Sequence, residues 1–213
     1  MTMKIIPFTY CESIELYANT YILIDDNDDC VVIDPGKDYP GIVDFIKQSD
    51  LHLRGILLTH GHFDHIRGVK LLSDEFNVFT YLNAEDEKFL KDTHYNASDR
   101  FSLKKIVIDA PQIFIKDGEI LHLLKEPIEV IATPYHTGGS VCFYLKDSKV
   151  IFTGDSLFAG GFGRTDFPGA RPDLFNSSMK KLFSLPGNVE VYPGHGEKTT
   201  IEIERNANTF VKI

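Results

Sequence analysis

Thr59-His60-Gly61-His62-Phe63-Asp64-His65 puts three imidazoles and one carboxylate into the six residues from His60 to His65. Imidazole nitrogen suits Zn, Fe, Co or Ni, and a carboxylate oxygen adds charge and a means of bridging two ions. His60 and His62 lie two apart and can converge on one cation. Asp64 and His65 begin the next turn and can reach a second cation a few ångströms away, the arrangement of hydrolases that use a metal pair. Three of the chain's eight histidines fall in this run, which a merely polar loop does not require. The chemistry to expect is metal-assisted.

Such ligands need a rigid support, and the flanking sequence supplies one. Gly55–Leu58 is a short apolar run of the kind that forms a buried strand; beyond it, apolar residues at 66, 69, 71 and 72 predict a helix over 66–73. Loops at the carboxyl ends of strands are where open α/β sheets keep their ligand sites. Three later strands end in the same way. Ile128–Ala132 runs into Thr133-Pro134-Tyr135-His136, Val150–Thr153 into Gly154-Asp155, and Val189–Tyr192 into Pro193-Gly194-His195. Each pairs an apolar run with a tight Pro or Gly turn and one ligand-type side chain. The hairpin 20–33 ends on Asp34-Pro35-Gly36. Asp34 there either orients a metal-binding histidine from behind or simply opens the turn.

The remaining pattern fits an α/β layered fold. Strands are expected at 4–8, 77–81, 112–115, 119–124 and 141–145, and helices at 39–49, 85–92, 173–184 and 199–206, the second of these capped by Asn83. At 213 residues the prior is one domain, 1–213. The net charge of −9 argues against a nucleic-acid partner, because phosphate binding needs a basic face. Cys11, Cys30 and Cys142 are odd in number and far apart, so no disulfide framework follows, and a cytoplasmic setting is expected. The first residues, Met-Thr-Met-Lys-Ile-Ile-Pro, lack the apolar region of a secretion signal, and no stretch approaches the ~18 apolar residues of a membrane span. His52, His94 and His122 have no neighbouring ligands and are expected to be structural or surface residues.

Thr-His-Gly-His-Phe-Asp-His resembles the His-x-His-x-Asp-His signature of the metallo-β-lactamase superfamily, and the order of His136, Asp155 and His195 continues the match. The resemblance implies a four-layered αββα sandwich of two mixed β-sheets flanked by helices, with the site at one edge. It implies one metal held by His60, His62 and His136, a second held by Asp64, His65 and His195, and Asp155 bridging them. Two divalent ions are expected, Zn first, with Fe or Mn as alternatives. Asp155 within Thr-Gly-Asp-Ser-Leu-Phe, and Gly163-Arg164-Thr165-Asp166, are similar to the short glyoxalase II-like branch. In that branch the resemblance implies a small-molecule thioester substrate, such as a hydroxyacylglutathione. Full-length glyoxalase II adds a C-terminal helical domain that contacts glutathione; this sequence runs 18 residues past His195, and no such clamp is expected.

The implied reaction is thioester hydrolysis by a metal-bridging hydroxide held between Asp64 and Asp155. Arg164 and Asp166 pair either beneath the loop, as support for the ligands, or as an ordinary salt bridge. Tyr135 replaces the family's usual glycine before the ligand histidine, and either narrows the pocket as a substrate contact or packs. Residues 93–105 and 158–172 are the expected pocket walls. The alternative on the same fold is a persulfide dioxygenase with one iron on His60, His136 and Asp155.

Overall fold

Alternation along the strands sorts the apolar side chains into three separate interiors. The computed structural model describes residues 3–9 and 16–208; Cys11 lies outside them. In strands β1 (Lys4–Phe8), β2 (Thr20–Ile24) and β3 (Asp29–Ile33), the two faces diverge. Ile22, Cys30 and Val32 join one interior, whereas Tyr21, Leu23, Val31 and Ile33 join another. The first interior is closed by helix α1 (Pro40–Gln48), which contributes Ile42, Val43 and Ile46. Strand β4 (His52–Leu57) follows, then the short α2 (Phe63–Ile66) and α3 (Val69–Phe76), whose Val69 and Leu72 enter the same interior. Strand β5 (Thr80–Asn83), α4 (Glu87–Lys91), α5 (Ser98–Phe101) and strand β6 (Gln112–Ile115) complete this half.

The second half begins with β7 (Ile120–Leu121), β8 (Ile128–Ala132), β9 (Val141–Leu145) and β10 (Val150–Gly154). Val130, Val141, Phe143 and Phe152 face the first sheet. Cys142, Tyr144 and Ile151 face the other way, onto helix α6 (Phe175–Phe183). Strands β11 (Glu190–Pro193) and β12 (Thr199–Thr200) and helix α7 (Ile201–Ala207) end the described fold.

Three interiors separate four layers. One sheet runs β1-β2-β3-β4-β5-β6, antiparallel up to β3 and parallel beyond it. Its partner runs β12-β11-β10-β9-β8-β7, with β10 and β11 parallel and the other pairs antiparallel. This is the αββα sandwich of two mixed sheets. Parallel β3 and β4, and parallel β10 and β11, deliver their carboxyl ends to one edge.

Several boundaries differ from the sequence pattern, each for a local reason. The helix expected over 66–73 is two helices, because the chain packs closely at Gly68: a side chain there would come within 2.5 Å of the Lys37 carbonyl. Asn77, at φ 52°, ends α3, so the next strand starts at Thr80 rather than at 77. Thr199 and Thr200 pair with β11 before α7 begins, and Thr200 caps that helix by accepting from the Ile203 N–H. Only Ile120–Leu121 of the expected strand 119–124 is paired. Residues 93–105, one of the expected pocket walls, contain α5. Asn83 does cap the turn before α4, accepting from the Glu85 N–H.

Candidate metal centre

Four strand ends and one helical turn build the centre. The chain leaves β4 through Leu58 and Thr59, and His60 and His62 follow before α2 opens with Phe63, Asp64 and His65. β8 leads to His136, β10 to Asp155 and β11 to His195. His60, His62, Asp64, His65 and His136 are almost fully buried.

His60 Nε2 lies 3.0 Å from His62 Nδ1, which lies 2.9 Å from His136 Nε2. On the opposite flank His195 Nε2 is 3.1 Å from Asp64 Oδ2. Asp155 stands between the flanks. Its carboxylate is 3.3 Å from His65 Nε2, 3.5 Å from His136 Nε2 and 3.6 Å from His195 Nε2. The donor atoms of His60, His62 and His136 lie within 4.8 Å of one another, as do those of Asp64, His65 and His195.

Hydrogen bonds outside this cluster set the ring orientations. His136 Nδ1 donates to the Arg164 carbonyl at 2.7 Å, leaving a lone pair on Nε2. Thr59 donates its hydroxyl to Asp34 Oδ2 at 2.6 Å, so its oxygen is free to accept from His60 Nδ1 at 3.2 Å. That leaves the His60 Nε2 lone pair pointing inward as well. Asp34 also accepts from the Thr59 N–H at 2.8 Å and from His65 Nδ1 at 2.9 Å. One carboxylate therefore steadies both flanks from behind, the orienting role considered for Asp34. Its φ of 47° is the backbone cost of that placement.

Burial together with the mutual repulsion of His60, His62, His65 and His136 pushes the His60 imidazole well below its ordinary range. Burial first, and His136 next, push His62 down to about 3, and burial lowers His136. These rings are neutral at pH 7, the form in which imidazole can bind a metal. Burial works against a charge on His65, but Asp34, Asp155 and Asp64 outweigh it and raise this histidine. Burial likewise opposes a charge on Asp155, and His195 and His65 hold it well below the usual carboxylate range. Inward lone pairs on neutral rings, beside two buried carboxylates, repel one another unless cations sit among them. The buried His62 Nε2, His65 Nε2 and Asp155 Oδ1 also have no hydrogen-bond partner. The residues fit divalent metal ions.

The other expectations divide. Tyr135 does not reach the pocket. It is wholly buried, donates its hydroxyl to the Asp155 and Ser156 carbonyls at 3.1 and 2.6 Å, and packs its ring edge-on against Phe175. Arg164 and Asp166 form an exposed two-pronged salt bridge at 2.6 and 2.7 Å rather than a support beneath the loop; only the Arg164 main chain touches a candidate ligand. His52 and His94 pair with surface carboxylates, and His122 is exposed.

Sequence reasoning passed over Asp86. It is fully buried, and its carboxylate accepts from the Gly61 N–H at 2.9 Å, the Gly139 N–H at 2.9 Å and the Thr137 hydroxyl at 2.8 Å. It thereby ties the His60–His62 loop to the His136 loop. Burial raises its pKa to about 6. The glycines it serves were visible in sequence, but nothing in Asn83-Ala84-Glu85-Asp86 marks which acid turns inward.

Above the ligands opens a cavity of about 310 Å³. Phe101 from the expected wall 93–105, and Phe158, Gly163, Arg164 and Phe167 from 158–172, line it.

The chain is 37% identical over 213 residues to the hydroxyacylglutathione hydrolase GloC of Haemophilus influenzae, covering 99% of this chain and 98% of that one. The crystal structure of the BLEG-1 B3 metallo-β-lactamase superposes with a TM-score of 0.89 at 34% identity, covering 99% and 100% of the two chains. TTHA1623 in a di-iron-bound form gives 0.82 at 31%, covering 97% and 100%. The model of the metallo-β-lactamase superfamily matches residues 14–195, from ahead of β2 to the last candidate ligand. The chain belongs to the metallo-β-lactamase superfamily.

Proposed function

We propose that this protein is a dinuclear metal-dependent hydrolase of S-acyl thiols, a thioesterase of glyoxalase II type. The observation that carries the reading is the pair of ligand triads on either side of Asp155, His60/His62/His136 and Asp64/His65/His195. A one-iron facial triad would leave the second set without a task. The GloC relative, named for hydroxyacylglutathione, supports the thioester class.

Two divalent ions in this site would acidify a water and polarise the substrate carbonyl. The chain's residues do the rest. Asp64 and Asp155, facing each other across the cluster, accept the attacking water's hydrogen bonds and fix its direction. Water oxygen bonds to the acyl carbon and the C–S bond breaks, giving a carboxylic acid and a thiol. A thiol of pKa about 8.5 leaves as thiolate without a strong proton donor, and the cavity wall, among described residues, presents none. The buried floor excludes bulk water, which strengthens each electrostatic contact there.

Elemental analysis of protein purified without added metal or chelator tests the reading, followed by thioester assays. About two Zn, Fe or Mn ions per chain with thioester turnover is the expected result. A single iron per chain, with oxygen uptake on glutathione persulfide and no thioester turnover, would overturn it in favour of the dioxygenase.

A further inference from the structure

The walls of the reaction cavity have a chemistry that hydrolysis alone does not require. Phe63, Phe101, Phe158 and Phe167 surround the ligand floor, with Leu16 at the lip. Phe167 stands edge-on to His62 at 5.4 Å and meets Phe101 at 5.4 Å, while Phe158 faces His195 at 6.0 Å. The cavity's one lining cation among the described residues is Arg164, and it is already committed. Its guanidinium binds Asp166 through two hydrogen bonds and lies 3.9 Å above the Phe167 ring.

Ions at the floor would be engaged by the thioester carbonyl, so an anionic carrier drawn against these walls would lose water and find little in return there, because a buried carboxylate needs a cation or several donors. An apolar group loses nothing. Leu16 and Phe101 remain 55% and 49% exposed, which extends apolar surface out to the mouth. At about 310 Å³ the cavity is at the small end of the ~300–1,000 Å³ range for ligand sites, enough for one acyl group rather than a whole conjugate.

We infer that the cavity selects thioesters by an apolar acyl group, aliphatic or aromatic, which fills the phenylalanine collar while the thiol carrier stays in solvent. This rests on the thioester reading above, so two measurements separate them. The first uses metal-loaded protein and S-acyl-N-acetylcysteamines with a fixed neutral carrier: acetyl, butanoyl, hexanoyl and phenylacetyl, beside lactoylglutathione. kcat/KM should rise by up to about fourfold for each added methylene, and Phe101→Ser should flatten that rise. A flat or falling series, or a tenfold preference for lactoylglutathione over the hexanoyl ester, overturns the inference. The second measurement is calorimetric binding of phenylacetate against acetate to the same protein. Phenylacetate binding at least tenfold tighter supports the apolar collar even if no thioester is cleaved, a result that would remove only the proposed function. Equal binding of the two acids overturns the collar's role whatever the activity.

Discussion

A carboxylate can hold a metal or hold the loops that hold it, and this chain has candidates of both kinds. Asp155 approaches three candidate ligands from both flanks, so Asp155→Ala should reduce bound metal to about one ion per chain and cut thioester turnover at least 100-fold, read by elemental analysis and kinetics. Asp86 touches no candidate ligand and should act through geometry. An asparagine in its place must turn an N–H₂ toward one of three converging donors. Asp86→Asn should weaken metal affinity about 10–100-fold in a chelator-competition titration. Glu126 provides the control. It is equally buried and accepts from the Asp147 and Ser148 N–H groups at the far end of β9 and β10. Glu126→Gln should lower thermal stability comparably and leave metal affinity unchanged; a matching loss of affinity would sink the positioning role of Asp86. The candidate ligands were legible in sequence because metal chemistry restricts residue type and spacing. Asp86 was not, because any carboxylate in a polar turn looks solvated until the fold closes over it.

Elements carry these residues through their ends, and the tolerances are small. Gly163 follows the Phe158–Gly161 turn and donates its N–H to the Asp155 carbonyl. A Cβ there would sit 2.2 Å from that carbonyl and 2.8 Å from His136 Nδ1. Gly163→Ala should therefore displace both candidate ligands, with a loss of about 1–3 kcal/mol of stability and reduced metal content; an unchanged melting temperature and full loading would contradict the packing. A second element-scale prediction concerns β8, which leads to His136. Asp117 accepts from the Ala132 N–H at 2.7 Å and from Lys181 of α6 at 2.8 Å. Burial opposes the Asp117 charge, but these two donors hold its pKa below the usual value. A carboxyl with a depressed folded pKa stabilises above its unfolded value and stops doing so as pH falls through the folded one. Asp117→Asn should cost about 0.5–1 kcal/mol near pH 7, discounted for exposure, and the gap should narrow from about pH 5 to about pH 3 in thermal melts. Periodicity located most strands here. It ran the helix straight across Gly68, because close approach to Pro35 and Lys37 is a tertiary fact that no local pattern records.

At the scale of the molecule, the centre closes a seam between two sheets. Asn19, just before β2, donates its N–H to the Gly194 carbonyl at 2.7 Å, and its side chain bonds the carbonyls of Pro193 and Gly196. Val141 donates to the Thr59 carbonyl at 2.8 Å, and Tyr21 to the Pro193 carbonyl at 2.7 Å. Ions bound at this seam would stabilise the folded form by mass action. Removal of metal present at about 1,000 times its dissociation constant should cost about 4 kcal/mol, or about 8–16 °C in melting temperature. Amide exchange should then accelerate first in the loops around residues 60, 136 and 195, not in the β9–β10 turn. The α/β layering was legible from strand and helix periods, whereas the split into two facing sheets came from resemblance, because a period-2 pattern does not say which sheet a strand joins.

The division of ligands between the halves also sets an order of events during synthesis. His60, His62, Asp64 and His65 precede β6, whereas His136, Asp155 and His195 follow β7. When the first sheet has left the ribosome, neither triad is complete, and an ion can be held only loosely and exchangeably by the residues then present. The first triad would be complete once the chain has passed β8 and His136, whereas the second would await His195 after β11, nearly the last strand made. A metal pair would thus be filled in two stages, its second position only as the newborn chain finishes folding.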